Sequence, residues 1–310
     1  MVKILRLIRW PNLLMIVFIQ YLIRFSFTEA LNMPHALDPW YYALGVLCSV
    51  LLAAGGYIVN DLFDLETDAA NKPKRITIGR GISEDRAWYL YFATVILAAV
   101  SAYFLAQEVE LEGLWLVAPL ASILLYLYAT NLKKRPLIGN VLVSLLSAMP
   151  VFLVAIFDLL PAGTEENAEM VKQGFQVLLN YSAFAFWLTL IREIVKDMED
   201  RKGDTMAGYQ TLAIIMPERG LKALLILLIA VALAPIIWYA QDLLSMGGNI
   251  SSAFYVLLAV ALPLAFVGFR LMRASTAADF HRISSFTKIV MLLGILSMPI
   301  FTLSLLYQWP

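Results

Sequence analysis

Asp61, Asp64 and Asp68 stand at spacing i, i+3, i+7 in NDLFDLETD, residues 60–68, and Asp197, Asp200 and Asp204 repeat that spacing in KDMEDRKGD, residues 196–204. Each acid of the second set lies 136 residues after its counterpart in the first. On an α-helix this spacing lines three carboxylates along one face within about two turns. Carboxylates held so close repel one another, and a low-dielectric setting penalises their ionised forms further, so a cation belongs among them. Six carboxylates converging at one place offer hard oxygen donors. Mg²⁺ takes such ligands, keeps several waters and commonly completes its shell with substrate phosphate oxygens. Bases interleave with the acids: Lys72 and Arg75 follow the first set, and Arg192 and Lys196 share one helix face beside the second. Acids that hold metal beside bases that hold phosphate read as a diphosphate site. A solvated helix end would account for any one of these acids, but not for two sets with one spacing.

The elements that must position them are membrane helices. Of 310 residues, 61% are hydrophobic and 15% charged, against about 25% charged in a soluble domain; mean hydropathy is +0.77. The formal net charge of zero gives no sign of a nucleic-acid partner. A single cysteine, Cys48, lies in an apolar run, which excludes an internal disulfide or a cysteine metal cluster and reads as packing. The first apolar run, Leu13 to Phe27, follows Lys3, Arg6 and Arg9 and ends without a small-residue cleavage site, so no cleaved signal peptide is expected.

Runs long enough to span about 30 Å of hydrocarbon fall near 12–28, 40–60, 87–107, 114–131, 137–160, 175–195, 220–241, 252–272 and 286–308. They predict an all-α membrane protein, a single domain over residues 1–310, with nine transmembrane helices bundled around a central cavity. All but two of the 23 Lys and Arg fall in the N-terminal segment or the even-numbered loops; Lys172 lies on the other side and Arg24 inside the first helix. The odd-numbered loops carry acids instead, among them Glu29, Asp38, Glu108, Glu165 and Asp242. By the positive-inside rule the N-terminus and even loops are cytoplasmic, and so is the cavity at which both acidic sets emerge. Four helices separate the sets, so the two units run in the same direction, as a parallel internal repeat would.

NDLFDLETD resembles the NDxxDxxxD motif of the UbiA superfamily of intramembrane prenyltransferases, and KDMEDRKGD resembles its second aspartate-rich motif. The nine-helix layout matches as well, so the resemblance covers essentially the whole chain. It implies Mg²⁺-dependent transfer of a prenyl group from a prenyl diphosphate to a lipid-like or aromatic acceptor in the bilayer, with two Mg²⁺ ions. Carried over residue by residue, it implies that Asn60, Asp61, Asp64, Asp68, Asp197, Asp200 and Asp204 hold metal, with Asp64, Asp68, Asp200 and Asp204 as the catalytic core. Lys72 and Arg75 in NKPKR match the bases that face the diphosphate; Tyr128 and Lys133 in YATNLKK match the tyrosine and lysine of the family's fourth loop. Asn12 in RWPN resembles a polar residue of helix 1 near the site. One departure is Ile76, where the family usually has a proline. Aromatic faces stabilise cations, and Tyr126, Tyr128, Phe184, Phe186 and Trp187 are candidates to do so for an allylic carbocation, though core or lipid-facing packing would also account for each.

The stretch REIVKDMEDRKGD followed by TMAGYQTLA is similar to the archaeal-type branch that prenylates geranylgeranylglyceryl phosphate to give an ether lipid. A phosphorylated acceptor needs a second anion site, and Lys133, Lys134 and Arg135 are candidates for it. The alternatives are prenylation of an aromatic quinone precursor or tetrapyrrole and, in another class, divalent-cation transport. Transporters usually place their acids near the bilayer midplane on broken helices, whereas these acids cluster at one face among Lys and Arg. Cysteines placed at residues 66 and 202, in a Cys48→Ser background, are expected to react with an impermeant thiol reagent from the same side of the membrane. Labelling from opposite sides would overturn the topology.

Overall fold

A computed structural model describes residues 2–65, 77–79, 81–245 and 249–307. Among these residues nine helices are long and apolar enough to cross a membrane: α1 (Trp10–Glu29), α2 (Pro39–Phe63), α3 (Glu84–Glu108), α4 (Glu112–Thr130), α5 (Ile138–Ala162), α6 (Ala168–Met206), α7 (Glu218–Ser245), α8 (Ile250–Arg273) and α9 (Ala277–Tyr307). Each predicted run lands on one of them, and the described residues contain no strand beyond an isolated bridge between Ile78 and Ile82. Asp38 caps α2 by accepting from the Tyr41 amide at 2.8 Å, with Pro39 in the first turn; both are start signals readable in the chain.

Two helices outrun their apolar segments. α6 continues to Met206, past the predicted end at residue 195, and α9 begins at Ala277, ahead of the predicted start at 286. Hydropathy marks where lipid contact stops, not where the backbone ladder stops, and Lys, Met, Glu and Arg in KDMEDRK are good helix formers. The second acidic set therefore rides on the part of the helix that extends beyond its apolar run. That helix ends where Gly208 takes φ +73°. The Tyr209 amide donates to Asp204 O at 2.9 Å and the Gly208 amide to Thr205 O at 3.2 Å, the Schellman pattern that a glycine permits.

α2 packs along α3 and α4, and α6 lies between α5 and α9. Glycines set two of these approaches. A Cβ at Gly56 would meet Leu125 at 2.9 Å, and one at Gly294 would meet the Phe184 ring at 2.1 Å, so α2–α4 and α6–α9 close to distances that only small residues allow. One buried cluster gathers Ile23, Tyr42, Leu105, Val154 and Leu178. A second gathers Leu188, Ile194, Leu225, Leu264 and Val290 from α6 to α9.

At the end of the bundle away from the acidic sets, Arg24 finds the partner that its position inside α1 demands. Its Nη1 donates to both oxygens of Asp158, at 2.9 and 3.2 Å, and its Nε to Glu29 at 2.9 Å. Asp158 also accepts from the Leu37 amide at 3.0 Å. Arg24 is 4% exposed and Asp158 1%, and both sit in π-helical turns, Arg24–Glu29 and Ala155–Leu159. Removing one partner of a buried pair leaves the other charge uncompensated. Asp158→Asn, with only Glu29 left to Arg24, is expected to cost about 3 kcal/mol and to lower the melting temperature of the purified protein. An unchanged melting curve would show the pair to be structurally idle.

Candidate active site

The first acidic set sits where α2 stops. Asp61 is in its last turn, while Asp64 is the C-cap, with φ −101° and ψ 7°. The single helical face predicted from the spacing is thus realised for Asp197, Asp200 and Asp204 on α6, whereas of the described acids of the first set Asp61 is on α2 and Asp64 lies just past its end at Phe63. Asp is a poor interior and good terminal residue because its side chain competes for backbone groups. Asp68, Lys72, Arg75 and Ile76 lie outside the described residues.

Asp64 is the hub of the described site. Its Oδ1 accepts from Lys133 Nζ at 2.6 Å and from the Tyr209 hydroxyl at 3.4 Å, and its Oδ2 from Asn60 Nδ2 at 2.7 Å. Lys133 also reaches Asn60 Oδ1 at 3.4 Å, and its side chain is only 7% exposed. Asp61 pairs instead with Arg9 at 2.8 Å. Arg9 precedes α1 in the left-handed region, φ 52°, a conformation uncommon for a residue with a side chain. Its guanidinium lies 4.8 Å from the Tyr57 ring centroid. The Tyr57 hydroxyl accepts from Asn12 at 3.1 Å, which brings the predicted helix-1 amide to the same end.

On the second half, Asp197 accepts from Asn140 at 2.9 Å, and the Asn140 carbonyl accepts from Ser144 at 2.6 Å. One turn earlier, the buried Glu193 is engaged by both predicted phosphate ligands, Arg192 on one oxygen and Lys196, at 2.8 Å, on the other. Tyr209, just past Asp204, joins the halves through its hydroxyl on Asp64, and Tyr128 lies within electrostatic reach of Asp64 from the first set and Asp197 from the second. Of the remaining aromatic candidates, Tyr126 meets Phe63 edge to face at 5.7 Å, Phe184 seats against Gly294, and Phe186 and Trp187 pack together at 5.6 Å beside the second core cluster.

Among the described residues no three His, Cys, Asp or Glu side chains form a ready-made metal cage. The donors present are nonetheless all hard oxygens, from Asp61, Asp64, Asp197, Asp200, Asp204 and the Asn60 amide. Mg²⁺ suits that set, because it is bound through one or two carboxylates plus waters and substrate phosphate.

Several site residues carried no functional reading in the sequence. Arg9 counted only toward topology, and Glu193, one acid in an apolar run beside Arg192 and before Lys196, was the missed signal of a buried ionic cluster. Tyr209 offers no local signal; it reaches Asp64 because Gly208 turns the chain back after α6. Gly139 has a comparable role. A Cβ there would meet Lys133 Cα at 2.7 Å and Leu132 O at 2.8 Å, so the start of α5 presses directly on the backbone that aims Lys133.

The chain belongs to the UbiA prenyltransferase family, whose sequence profile matches residues 22–307, and is therefore an integral-membrane prenyltransferase. Among individual proteins it is similar to the digeranylgeranylglyceryl phosphate synthase of Methanosphaera stadtmanae, with 29% identity over 258 residues that cover 82% of this chain and 85% of that one. A solved structure concerned with digeranylgeranylglyceryl phosphate synthase in membranes shares its fold, with a TM-score of 0.68, 22% identity, and 97% and 98% of the two chains covered. So does a UbiA homolog from Archaeoglobus fulgidus bound to GPP and Mg²⁺, with a TM-score of 0.51, 16% identity, and 96% and 99% covered. Family membership decides between transferase and cation transporter in favour of the transferase.

Because backbone atoms oppose it, a methyl at Gly139 is expected to displace Lys133 from Asp64 and lower the prenyl-transfer rate about tenfold or more, roughly 1.4 kcal/mol of barrier. Gly113→Ala, at a glycine with nothing within 4 Å, should stay near the parent rate. Equal rates for the two variants would remove Gly139 from the account.

Proposed function

We propose that this chain transfers a geranylgeranyl group from geranylgeranyl diphosphate to the free hydroxyl of geranylgeranylglyceryl phosphate, giving an ether lipid. The observation that carries this reading is the reach of Tyr209, just past Asp204, across to Asp64 at 3.4 Å, which brings the two acidic halves to one place, in a chain matched over most of its length by a digeranylgeranylglyceryl phosphate synthase. The N-terminus and the site end of the bundle face the cytoplasm.

In this reading Asn60, Asp61, Asp64 and Asp68 from one half, and Asp197, Asp200 and Asp204 from the other, hold two Mg²⁺. When bound, magnesium supplies electrostatic stabilisation of the departing diphosphate. The chain's own groups do the rest. Lys72 and Arg75 add positive charge toward the diphosphate oxygens, which stabilises the charge that develops there. The allylic C1–O bond breaks with its electron pair leaving on the diphosphate; the acceptor oxygen bonds to C1 and releases its proton. Tyr128 presents its ring to the cationic fragment. Helices and lipid exclude the water that would otherwise capture it.

The test is product analysis with purified protein, labelled geranylgeranyl diphosphate and each acceptor in turn. We expect label in a doubly prenylated glyceryl phosphate, abolished by chelating Mg²⁺. Transfer to hydroxybenzoate with none to geranylgeranylglyceryl phosphate would sink the acceptor assignment and place the chain with the quinone-pathway members of its family.

A further inference from the structure

Three contacts fix how α6 and α9 face one another. Glu199 Oε1 and His281 Nδ1 are 3.1 Å apart, the Tyr181 and Ser297 hydroxyls are 2.8 Å apart, and the Phe184 ring seats against Gly294. The two helices run antiparallel, so seven residues back along α6 match seven forward along α9, two turns on the same faces. Those steps carry Glu199 to Arg192 and His281 to Lys288. Two cations are thereby set level across one seam whose other rungs are in contact. In agreement, Lys288 lies in the field of Arg192, Lys196, Arg9 and Glu193.

The charges at this level do not balance. Glu193 is shared by Arg192 and Lys196, and Arg9 is committed to Asp61. Lys288 has neither an ion pair nor a hydrogen bond among the described residues. Arg192 Nε is buried and also lacks a hydrogen-bond partner there, an arrangement that costs the desolvation of that N–H. Arg192, Lys196 and Lys288 outnumber the carboxylates beside them, Glu193 and Asp197, which leaves room for an anion, and ionisable groups at the membrane edge mark a ligand by default. The fourth-loop bases are less available: Lys133 is held by Asp64, and Lys134 lies 5.5 Å from the Tyr209 ring.

We propose that Arg192, Lys196 and Lys288, the first two oriented by Glu193, form a site for the phosphate monoester of the lipid acceptor, beside the acid-lined site for the donor diphosphate. This rests on the glycerol-phosphate reading above. Lysine and arginine donors to a phosphate are charge-assisted, so losing one should weaken binding by about tenfold, the equivalent of 1.4 kcal/mol.

The experiment uses the full chain in detergent with Lys288→Gln, and Lys288→Arg as the conservative variant. The glutamine variant should raise KM for geranylgeranylglyceryl phosphate about tenfold and leave KM for geranylgeranyl diphosphate within about twofold; arginine should restore most of the loss. A rise confined to the diphosphate would assign the cluster to the donor and overturn the proposal. In parallel, direct binding is measured for geranylgeranylglyceryl phosphate and for geranylgeranylglycerol, which lacks the phosphate. The parent should prefer the phosphorylated lipid about tenfold and Lys288→Gln should erase that preference; equal binding by the parent would also overturn the site. If the parent shows a Lys288-dependent preference but no transfer, the acceptor reading fails and the anion site stands. If it transfers with KM insensitive to Lys288→Gln, the anion site fails and the function stands.

Discussion

The contact between Lys133 and Asp64, 2.6 Å long, is the interaction around which the site end is built. A carboxylate at the rim of a lipid slab cannot be left to water alone, and a lysine buried to 7% exposure must have an anion. Satisfying both at once obliges the fourth loop to fold across the end of α2. Gly139 then lets α5 begin hard against that loop, and α5 in turn carries Asn140 to Asp197 on α6. One ion pair thus links α2, the fourth loop, α5 and α6. These elements must keep a fixed relation if two groups of acids far apart in the chain are to act on one substrate.

The same logic of compensated charge recurs through the molecule. Arg9 answers Asp61, Arg192 and Lys196 answer Glu193, and Arg24 answers Asp158 at the far end. Pairing within a low-dielectric bundle is obligatory, because an isolated ion there is far more costly than a pair. It follows that a place where pairing is incomplete, as at the buried Arg192 Nε facing Lys288, is informative.

Much of this was legible in the residues. Nine apolar runs were countable because a bilayer demands a minimum length of helix, and the acidic spacing was visible because a helix repeats on a fixed period. Other features lie beyond such rules. The extension of α6 to Met206 escaped hydropathy, which senses lipid and not hydrogen bonding. The contribution of Tyr209 depends on a left-handed Gly208 and on a partner 145 positions away, so no local pattern could announce it. Lys133 was recognised by resemblance to a family motif, but its bond to Asp64 became visible only with the fold. The level placement of Arg192 and Lys288 needed the register of two helices distant in sequence.

The pairing of Arg24 with Asp158 also bears on how the protein is made. The two residues are 134 positions apart, and a ribosome adding roughly 5–20 residues per second delivers the aspartate on the order of ten seconds after the arginine. During that interval α1 carries a guanidinium whose only acidic partner from its own helix is Glu29. The end of α1 that carries Arg24 therefore cannot reach its final buried setting until α5 has entered the membrane. Assembly of this half of the bundle is thus ordered in time by electrostatics, with the first helix completed only when the fifth arrives.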